Sequence, residues 1–307
     1  MERKNKMADL TIKAFAKVNL GLKILKKRMD GYHNIETVMQ TVSLFDQLHI
    51  SLKNNDILIT TNNPQLPCDK SNLCYKAAIA FMKKIGQKTG VLIHIEKNIP
   101  IGGGLGGGSS DAASVLKALN ILLATPLSNR DLKKLAFLVG SDVPFFIDGG
   151  TAYVSGRGEK LKAIKPEPFL RYIIVYPGFS IDTKWAYSKI NFLTNIKNYI
   201  RIPDYNFDTT AIRKNTTWLK NDFEEVMLRE FGELRVVKQF LSQNGAVTVS
   251  LSGSGSSVYG IFDDEEKLNR AFRLISNKVY WAKKAFSIPS SKIPQFSYKN
   301  KEELQWR

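Results

Sequence analysis

The chain has 307 residues, of which 43% are hydrophobic and 24% are charged, a composition that is typical of a globular protein and excludes a disordered or collagen-like chain. No segment approaches the roughly 18 uninterrupted apolar residues of a membrane helix, and residues 1–10 lack the apolar stretch of a secretory signal. Two cysteines, Cys68 and Cys74, are too few for a disulfide framework or a four-ligand zinc site. We therefore expect reduced thiols, a cytoplasmic location and no membrane partner.

The formal net charge of +17 would attract any polyanion, including nucleic acid and nucleotide phosphates. The lysine and arginine residues are spread along the chain, and the spacing typical of zinc fingers, basic zippers or aromatic RNA-binding motifs is absent from the sequence. We therefore expect a small-molecule substrate and no nucleic-acid partner. Composition leaves open whether the protein is a monomer or a homodimer.

The first half of the chain mixes strand and helix patterns. Apolar residues alternate from Ile12 to Ile24, which predicts a strand or a bent pair of strands over 11–25, with Lys17 and Asn19 on the opposite face. A turn over 28–33 follows. Further patterns predict strands at 37–44, 47–52, 57–61, 91–96 and 151–155, and helices at 71–84 and 112–123. Ser128 and Asp131 form a capping-box-like start for another helix that ends at Gly140.

The second half repeats this mixture. A buried strand is predicted at 172–176, helices at 223–231 and 233–241, and a strand at 246–251 that runs into a serine- and glycine-rich loop at 252–257. Pro166 and Pro168 mark a plausible domain boundary. The sequence therefore predicts an α+β fold with two unequal domains, residues 1–165 and 166–307.

Residues 102–108 are six glycines around one leucine, placed between an apolar strand and a helix. Such a loop turns its backbone N–H groups toward one point beside the positive end of the helix dipole, which favours a bound phosphate. A dinucleotide-binding unit would need a second parallel strand after the helix, a P-loop would need a lysine after the last glycine, and a flexible linker would not be clamped between two apolar elements. A phosphate-binding loop of another kind is the best interpretation.

The stretch 100–110 resembles the phosphate loop of the GHMP kinases, named for galactose, homoserine, mevalonate and phosphomevalonate, although it carries extra glycines before the serines. Three more motifs support the resemblance: Ala-Lys-Val-Asn-Leu at 16–20, Gly-Ser-Asp-Val-Pro-Phe-Phe at 140–146 and Ser-Gly-Ser-Gly at 252–255. The extra glycines and Asp-Gly-Tyr-His at 30–33 resemble the branch of the family that acts on 4-diphosphocytidyl-2-C-methyl-D-erythritol. The resemblance covers about residues 14–262, apart from the divergent segment 191–219.

The resemblance implies a two-domain GHMP kinase fold, with an N-terminal ribosomal-protein-S5-domain-2-like domain and a C-terminal GHMP kinase α/β domain. It also implies ATP as donor, Mg²⁺ as cofactor, phosphorylation of the substrate's 2-hydroxyl and a role in non-mevalonate isoprenoid synthesis. Asp142 would be the base and Lys17 its cationic partner. The loop would bind ATP through Pro100, Ile101, Gly102, Gly103, Gly104, Leu105, Gly106, Gly107, Gly108, Ser109 and Ser110, with Lys97 and Asn72 near the purine.

The resemblance places Tyr32 and His33 against the cytosine, with Asn19 and Thr183 near the substrate. Tyr187, or less favourably Trp185, would be the second wall of the base site. The loop 252–257 would close over the phosphate site. Two alternatives stay open: another GHMP kinase acting on a sugar or homoserine, and a non-catalytic nucleotide sensor of the same fold.

Overall fold

The computed structural model describes residues 9–125, 127–165, 169–190, 219–278 and 280–290, and the backbone of 296–298. The predicted boundary at 166–168, most of the divergent segment 191–219 and the basic start of the chain lie outside these residues. In the described part, no helix is both long enough and apolar enough to cross a membrane.

The first sheet contains seven of the described strands. They are β1 (Asp9–Lys27), β2 (His33–Lys53), β3 (Ile57–Thr61), β4 (Gly90–Glu96), β5 (Thr151–Gly156), β6 (Lys160–Ala163) and β11 (Phe296–Tyr298). The main order is β11-β1-β2-β4-β3, and β5 pairs with β2 and β6. The two strands predicted within 37–52 form one long strand, β2, which pairs antiparallel with β1 along nearly its whole length.

Four helices belong to this half: α1 (Leu73–Ile85), α2 (Gly107–Leu122), α3 (Asn129–Val139) and α4 (Phe145–Asp148). The apolar sides of these helices form one core with β1, β2 and β4. The predicted cap of α3 is confirmed, since the Ser128 hydroxyl accepts a hydrogen bond from the N–H of Asp131 at 3.2 Å. Helix α2 begins within the glycine run, five residues before the predicted start, because left-handed Gly106 provides its N-cap.

The second sheet has the order β10-β7-β9-β8, formed by β7 (Arg171–Tyr176), β8 (Thr248–Leu251), β9 (Val258–Phe262) and β10 (Trp281–Phe286). Its helices are α5 (Thr183–Ile190), α6 (Glu224–Glu230), α7 (Gly232–Gln243) and α8 (Glu265–Ser276), which pack with β7 and β9 in a separate core. A third apolar cluster, including Val18, Val42 and Tyr172, joins the two sheets. The predicted α+β class is confirmed.

The pairing of β1 with β2 is irregular next to Lys17. The register shifts between Phe15 and Lys17, where one residue of β1 lies opposite three residues of β2, 42–44. Before the shift, Ile12 lies in the core with α1 and α2, whereas Val18 lies between the sheets. The apolar residues predicted to share one face over 11–25 therefore pack in different cores. Lys17 lies where α2 begins, since a Cβ on Gly106 would be 3.0 Å from Lys17 Cγ.

Tyr259 ties the two sheets together behind this strand. Its fully buried hydroxyl donates a hydrogen bond to the backbone oxygen of Asn19 at 2.8 Å.

We expect Tyr259→Phe to lower the free energy of unfolding by about 1–2 kcal/mol, since a buried hydrogen bond is lost without a change in packing. Chemical denaturation measures the change. Tyr280→Phe is the matched control, because the Tyr280 hydroxyl lies 3.5 Å from Glu233 at an exposed position, and its effect should stay within about 0.5 kcal/mol. Equal effects of the two variants would contradict the prediction.

Candidate active site

A cleft of about 460 Å³ lies where the two halves of the chain meet. It is lined by part of β1, by residues 100–109, which belong to the glycine loop (residues 100–110), by Asp142, by the start of α5 and by the C-terminal loop (residues 252–257). The C-terminal loop lies against the glycine loop, since the Ser252 hydroxyl donates to the backbone oxygen of Gly104 at 2.9 Å. The cleft is therefore built from segments that are far apart in the sequence.

Lys17 is the central cation of the cleft, although its side chain is only 4% exposed. The ammonium group donates to Asn19 Oδ1 at 2.5 Å and to the backbone oxygen of Gly104 at 2.8 Å, and it lies 3.8 Å from Asp142 Oδ2. Burial lowers the pKa of Lys17, and the carboxylate of Asp142 opposes that shift. The lysine thus holds a positive charge between the glycine loop and an acid.

Asp142 is the only carboxylate among the described residues that line the cleft. Its side chain is 34% exposed, and it lies between the end of α3 and the start of α4. On α4, the ring of Phe146 packs so closely on Gly106 that a Cβ there would lie 2.7 Å from it. Asp142 is therefore held beside the loop with its carboxylate open to the cleft, as a proton acceptor requires.

The glycine loop presents an uncapped helix start to the cleft. Gly102, Gly104 and Gly106 all have positive φ angles, between 69° and 76°, which side chains rarely adopt. Gly106, the N-cap of α2, offers no side chain to bond the first N–H groups of that helix. These donors and the helix dipole favour an anion in the cleft.

Lys97 lies at the back of the cleft in a buried ion-pair cluster with Asp46 and Asp111. Its ammonium donates to both carboxylates, at 2.9 Å for Asp111. Burial alone would lower the pKa of Lys97, but Asp111 and Asp46 raise it above its usual value. Burial also raises the pKa of Asp111 to about 8, against the effect of Lys97. The Lys97 ammonium therefore bonds to carboxylates of the protein itself. That Lys97 lies near the purine stays a prediction.

Asn72 has a local role as the N-cap of α1. Its side chain accepts a hydrogen bond from the N–H of Cys74 at 2.8 Å and donates to the backbone oxygen of Pro67 at 2.6 Å. Ser110 is buried in the first turn of α2. Neither residue is among those that line the cleft, whereas the other glycine-loop residues named above line it. A contact between Asn72 and the purine also stays a prediction.

Tyr187 adds an aromatic ring to the cleft lining. It stacks on His33, which is not among the described residues that line the cleft, with centroids 5.1 Å apart and planes 10° apart. Burial, and to a lesser extent Asp142, raises the pKa of Tyr187. Trp185 instead meets Phe231 edge-on at 5.7 Å. Of the two aromatics considered from the sequence, the structure therefore brings Tyr187 to His33.

Tyr32 precedes His33 in the chain, and Thr183 is the first residue of α5, the helix that carries Tyr187. Tyr32 is half exposed, and the guanidinium of Arg157 lies 4.3 Å from its ring centroid. The hydroxyl of Thr183 lies 3.3 Å from that of Ser254 in the C-terminal loop. Asn19 donates to the hydroxyl of Thr37 at 2.9 Å, which fixes the orientation of its amide. Tyr32 is set apart from the cleft lining, whereas Asn19 and Thr183 belong to it.

Sequence reasoning missed the residues that support this site. Asp46, Thr37 and Asn221 are buried and hydrogen-bonded to site segments. Asp46 lies between two segments with strand patterns, 37–44 and 47–52. An aspartate in such a position is a sequence signal for a buried acid. Thr37 and Asn221 carry no such signal, since their partners are distant in the chain.

The chain matches the model of the GHMP kinases N terminal domain over residues 72–150 and that of GHMP kinases C terminal over residues 206–280. It is 42% identical to the 4-diphosphocytidyl-2-C-methyl-D-erythritol kinase of Clostridium tetani over 89% of this chain and 99% of the relative. The kinase of the same name from Prosthecochloris aestuarii is 39% identical over 88% of this chain and 95% of the relative.

Solved structures agree. A crystal structure of 4-(cytidine 5'-diphospho)-2C-methyl-D-erythritol kinase has a TM-score of 0.71 at 32% identity, covering 91% of this chain and 99% of the other. A homoserine kinase from Cytophaga hutchinsonii shares the fold, with a TM-score of 0.67 at 18% identity over 97% of this chain and 99% of the other. With this coverage and identity, the chain belongs to the GHMP kinases, a superfamily of ATP-dependent small-molecule kinases, and within it to the 4-diphosphocytidyl-2-C-methyl-D-erythritol kinases.

Proposed function

We propose that the protein transfers the γ-phosphoryl group of ATP to the 2-hydroxyl of 4-diphosphocytidyl-2-C-methyl-D-erythritol, giving the 2-phosphate and ADP in the non-mevalonate route to isoprenoid precursors. The observation that carries the proposal is the Lys17–Asp142 pair, 3.8 Å apart and facing the glycine loop in a chain 42% identical to a kinase of that name. Residues 1–165 would form the domain with the ATP loop, and residues 166–307 the domain that completes the cleft. Two free thiols, Cys68 and Cys74, support a cytoplasmic location.

The Lys17–Asp142 pair supplies what the reaction needs. A tertiary hydroxyl is a weak nucleophile, so its attack is helped by a carboxylate that accepts the proton as the new O–P bond forms. Asp142 is proposed as that acceptor. Lys17 would keep Asp142 ionised and offset negative charge on the transferring group. Its own orientation is set by Asn19 and Gly104.

The stacked rings of His33 and Tyr187 are proposed to hold the cytosine. They offer flat faces and polar ring atoms, and Tyr32 precedes His33 in the chain. Base faces stack on such side chains and base edges accept or donate hydrogen bonds. A sugar or homoserine would leave these aromatic rings unused.

Mg²⁺ is proposed to enter with ATP. The described residues contain no group of three or more histidine, cysteine, aspartate or glutamate side chains able to hold a metal by themselves. This fits an ion held mainly by phosphate oxygens and water, as Mg²⁺ commonly is in kinases. Ser109, which lines the cleft at the start of α2, is a candidate hydroxyl ligand. The ion would neutralise charge on the phosphates.

A coupled ADP-release assay with MgATP tests the function. We expect turnover of 4-diphosphocytidyl-2-C-methyl-D-erythritol and none of methylerythritol phosphate, homoserine or galactose. Asp142→Asn should lower kcat by about 10²–10⁴-fold, because the proton acceptor is lost. Asp148→Asn is the control, since Asp148 pairs with Lys133 away from the cleft. Turnover of homoserine or galactose would favour another GHMP kinase, and ATP binding without turnover would favour a sensor.

The glycine loop gives a second prediction. A Cβ on Gly104 would lie 2.0 Å from the backbone oxygen of Ser252, in addition to the strain of its φ of +76°. Gly104→Ala should therefore push the two loops apart and lower kcat/KM by about 100-fold or more. Gly86→Ala is the matched control, because φ is +69° there but a Cβ would meet nothing within 4 Å. Full activity of Gly104→Ala in the same assay would contradict the loop contact.

The lowered pKa of Lys17 gives a third prediction, on pH dependence. The ammonium is the active form, so kcat should fall as pH rises through a pKa below the usual value of 10.5. Lys17→Arg should lower kcat but lose this basic limb, because a guanidinium stays protonated up to about pH 12. Profiles of kcat measured from about pH 7 to pH 10 distinguish the two enzymes. The same basic limb in both would exclude Lys17 as its source.

A further inference from the structure

The segment 219–224 runs beside the strand that carries Lys17. The N–H of Leu22 donates to the backbone oxygen of Lys220 at 3.0 Å, and the N–H of Asp222 donates to that of Leu22 at 2.9 Å. The carboxylate of Asp222 accepts from the N–H of Ile24 at 2.8 Å and from Lys23 Nζ at 3.2 Å. This segment is therefore fastened to β1 by both backbone and side-chain bonds.

Asn221 links the same segment to the C-terminal loop. Its side chain is almost fully buried, and its Nδ2 group donates to the backbone oxygens of Leu251 at 3.0 Å and Gly253 at 2.8 Å. Its Oδ1 accepts from the N–H of Phe223 at 3.0 Å. Gly253 lies directly over the catalytic lysine, since a Cβ there would be 3.4 Å from Lys17 Nζ. Asn221 thus holds the part of the loop that covers Lys17.

Phe223 lines the cleft beside Tyr187. It is almost fully buried, and Tyr187 meets its ring edge-on at 5.0 Å with an interplanar angle of 78°. Tyr187 in turn stacks on His33. Asn221 therefore supports the C-terminal loop, and Phe223, two residues later in the chain, supports the stacked rings.

We propose that Asn221 and Phe223 are positioning residues: Asn221 holds the C-terminal loop over Lys17 for phosphoryl transfer, and Phe223 holds Tyr187 against His33 for binding of the cytidine moiety. The inference rests on the proposed function and deepens it. Asp222 lies between the two residues and bonds to β1, so one short segment positions both of them. Because Asn221 supports the loop over Lys17 and Phe223 supports the rings, the two residues should affect different kinetic constants.

The kinetic test separates the two roles. Asn221→Asp keeps the shape of the side chain but replaces the Nδ2 group, which donates two hydrogen bonds, with a carboxylate oxygen. That oxygen would face the backbone oxygens of Leu251 and Gly253 without a hydrogen to donate. It should lower kcat by about 100-fold, with both KM values within about threefold of the wild type.

Phe223→Leu should raise KM for the cytidylyl substrate by about tenfold, because the aromatic contact with Tyr187 is lost. KM for ATP and kcat should stay within about threefold of the wild type.

A second readout needs no substrate. Three backbone N–H groups of the C-terminal loop are hydrogen-bonded, including that of Ser257, which donates to the backbone oxygen of Gly103 at 3.1 Å. In Asn221→Asp, hydrogen exchange of residues 252–257 should accelerate by about tenfold or more, because the loop opens locally. Asn244→Asp is the matched control, since Asn244 also donates to a backbone oxygen, that of Phe240 at 2.8 Å, outside the cleft. If Asn221→Asp does not fold, Asn221→Ala removes the donors without adding charge.

The outcomes are distinct. Unchanged exchange in the loop with unchanged kcat would overturn the role of Asn221, and an equal loss of kcat and of affinity for both substrates in Phe223→Leu would overturn that of Phe223. If the wild-type enzyme does not phosphorylate the cytidylyl substrate, the proposed function is wrong. The hydrogen-exchange experiment would still decide whether Asn221 holds the loop.

Discussion

The site depends on the burial of one ammonium group. Placing the charge of Lys17 in the interior is costly unless polar partners surround it. Those partners come from three places: Asn19 from the same strand, the backbone of Gly104 from the glycine loop and Asp142 from the turn after α3. Satisfying this one charge therefore brings together strand, loop and acid. The carbonyl of Gly104 is shared with Ser252, which adds the C-terminal half of the chain to the same centre.

The pairing of β1 with β2 is irregular beside this lysine. Between Phe15 and Lys17 the register shifts, because β2 contributes two more residues than β1. Before the shift, Ile12 packs beside the helices, whereas after it Val18 contributes to the core between the sheets and Lys17 lines the cleft. Tyr259 fixes this part of the strand from behind through its hydrogen bond to the backbone of Asn19.

Local signals made much of the fold predictable. Apolar alternation, the Ser128 cap and the glycine run located most strands and helices to within a few residues, and the motifs around Lys17, Asp142 and the glycine loop indicated the family. The shift of register between β1 and β2 was not predictable, since the apolar alternation of β1 looks continuous across it. The supporting contacts were not predictable either, because Asp46 meets Lys97 51 positions away and Asn221 meets Gly253 32 positions away. Such pairs become visible only when the chain is folded.

The charges in the cleft limit what its lysines can offer to a phosphate group. Lys97 is paired with Asp46 and Asp111 inside the protein, and Lys17 shares its charge with Asp142 while it faces the glycine loop. The proposed binding of phosphate would therefore draw on backbone N–H groups and the dipole of α2 as well as on Lys17, and those groups act only if the chain can approach closely. A Cβ on Gly107 would already lie 2.8 Å from Lys97 Nζ, and one on Gly106 would meet Phe146. The run of glycines therefore lets the backbone of the loop lie where side chains would collide.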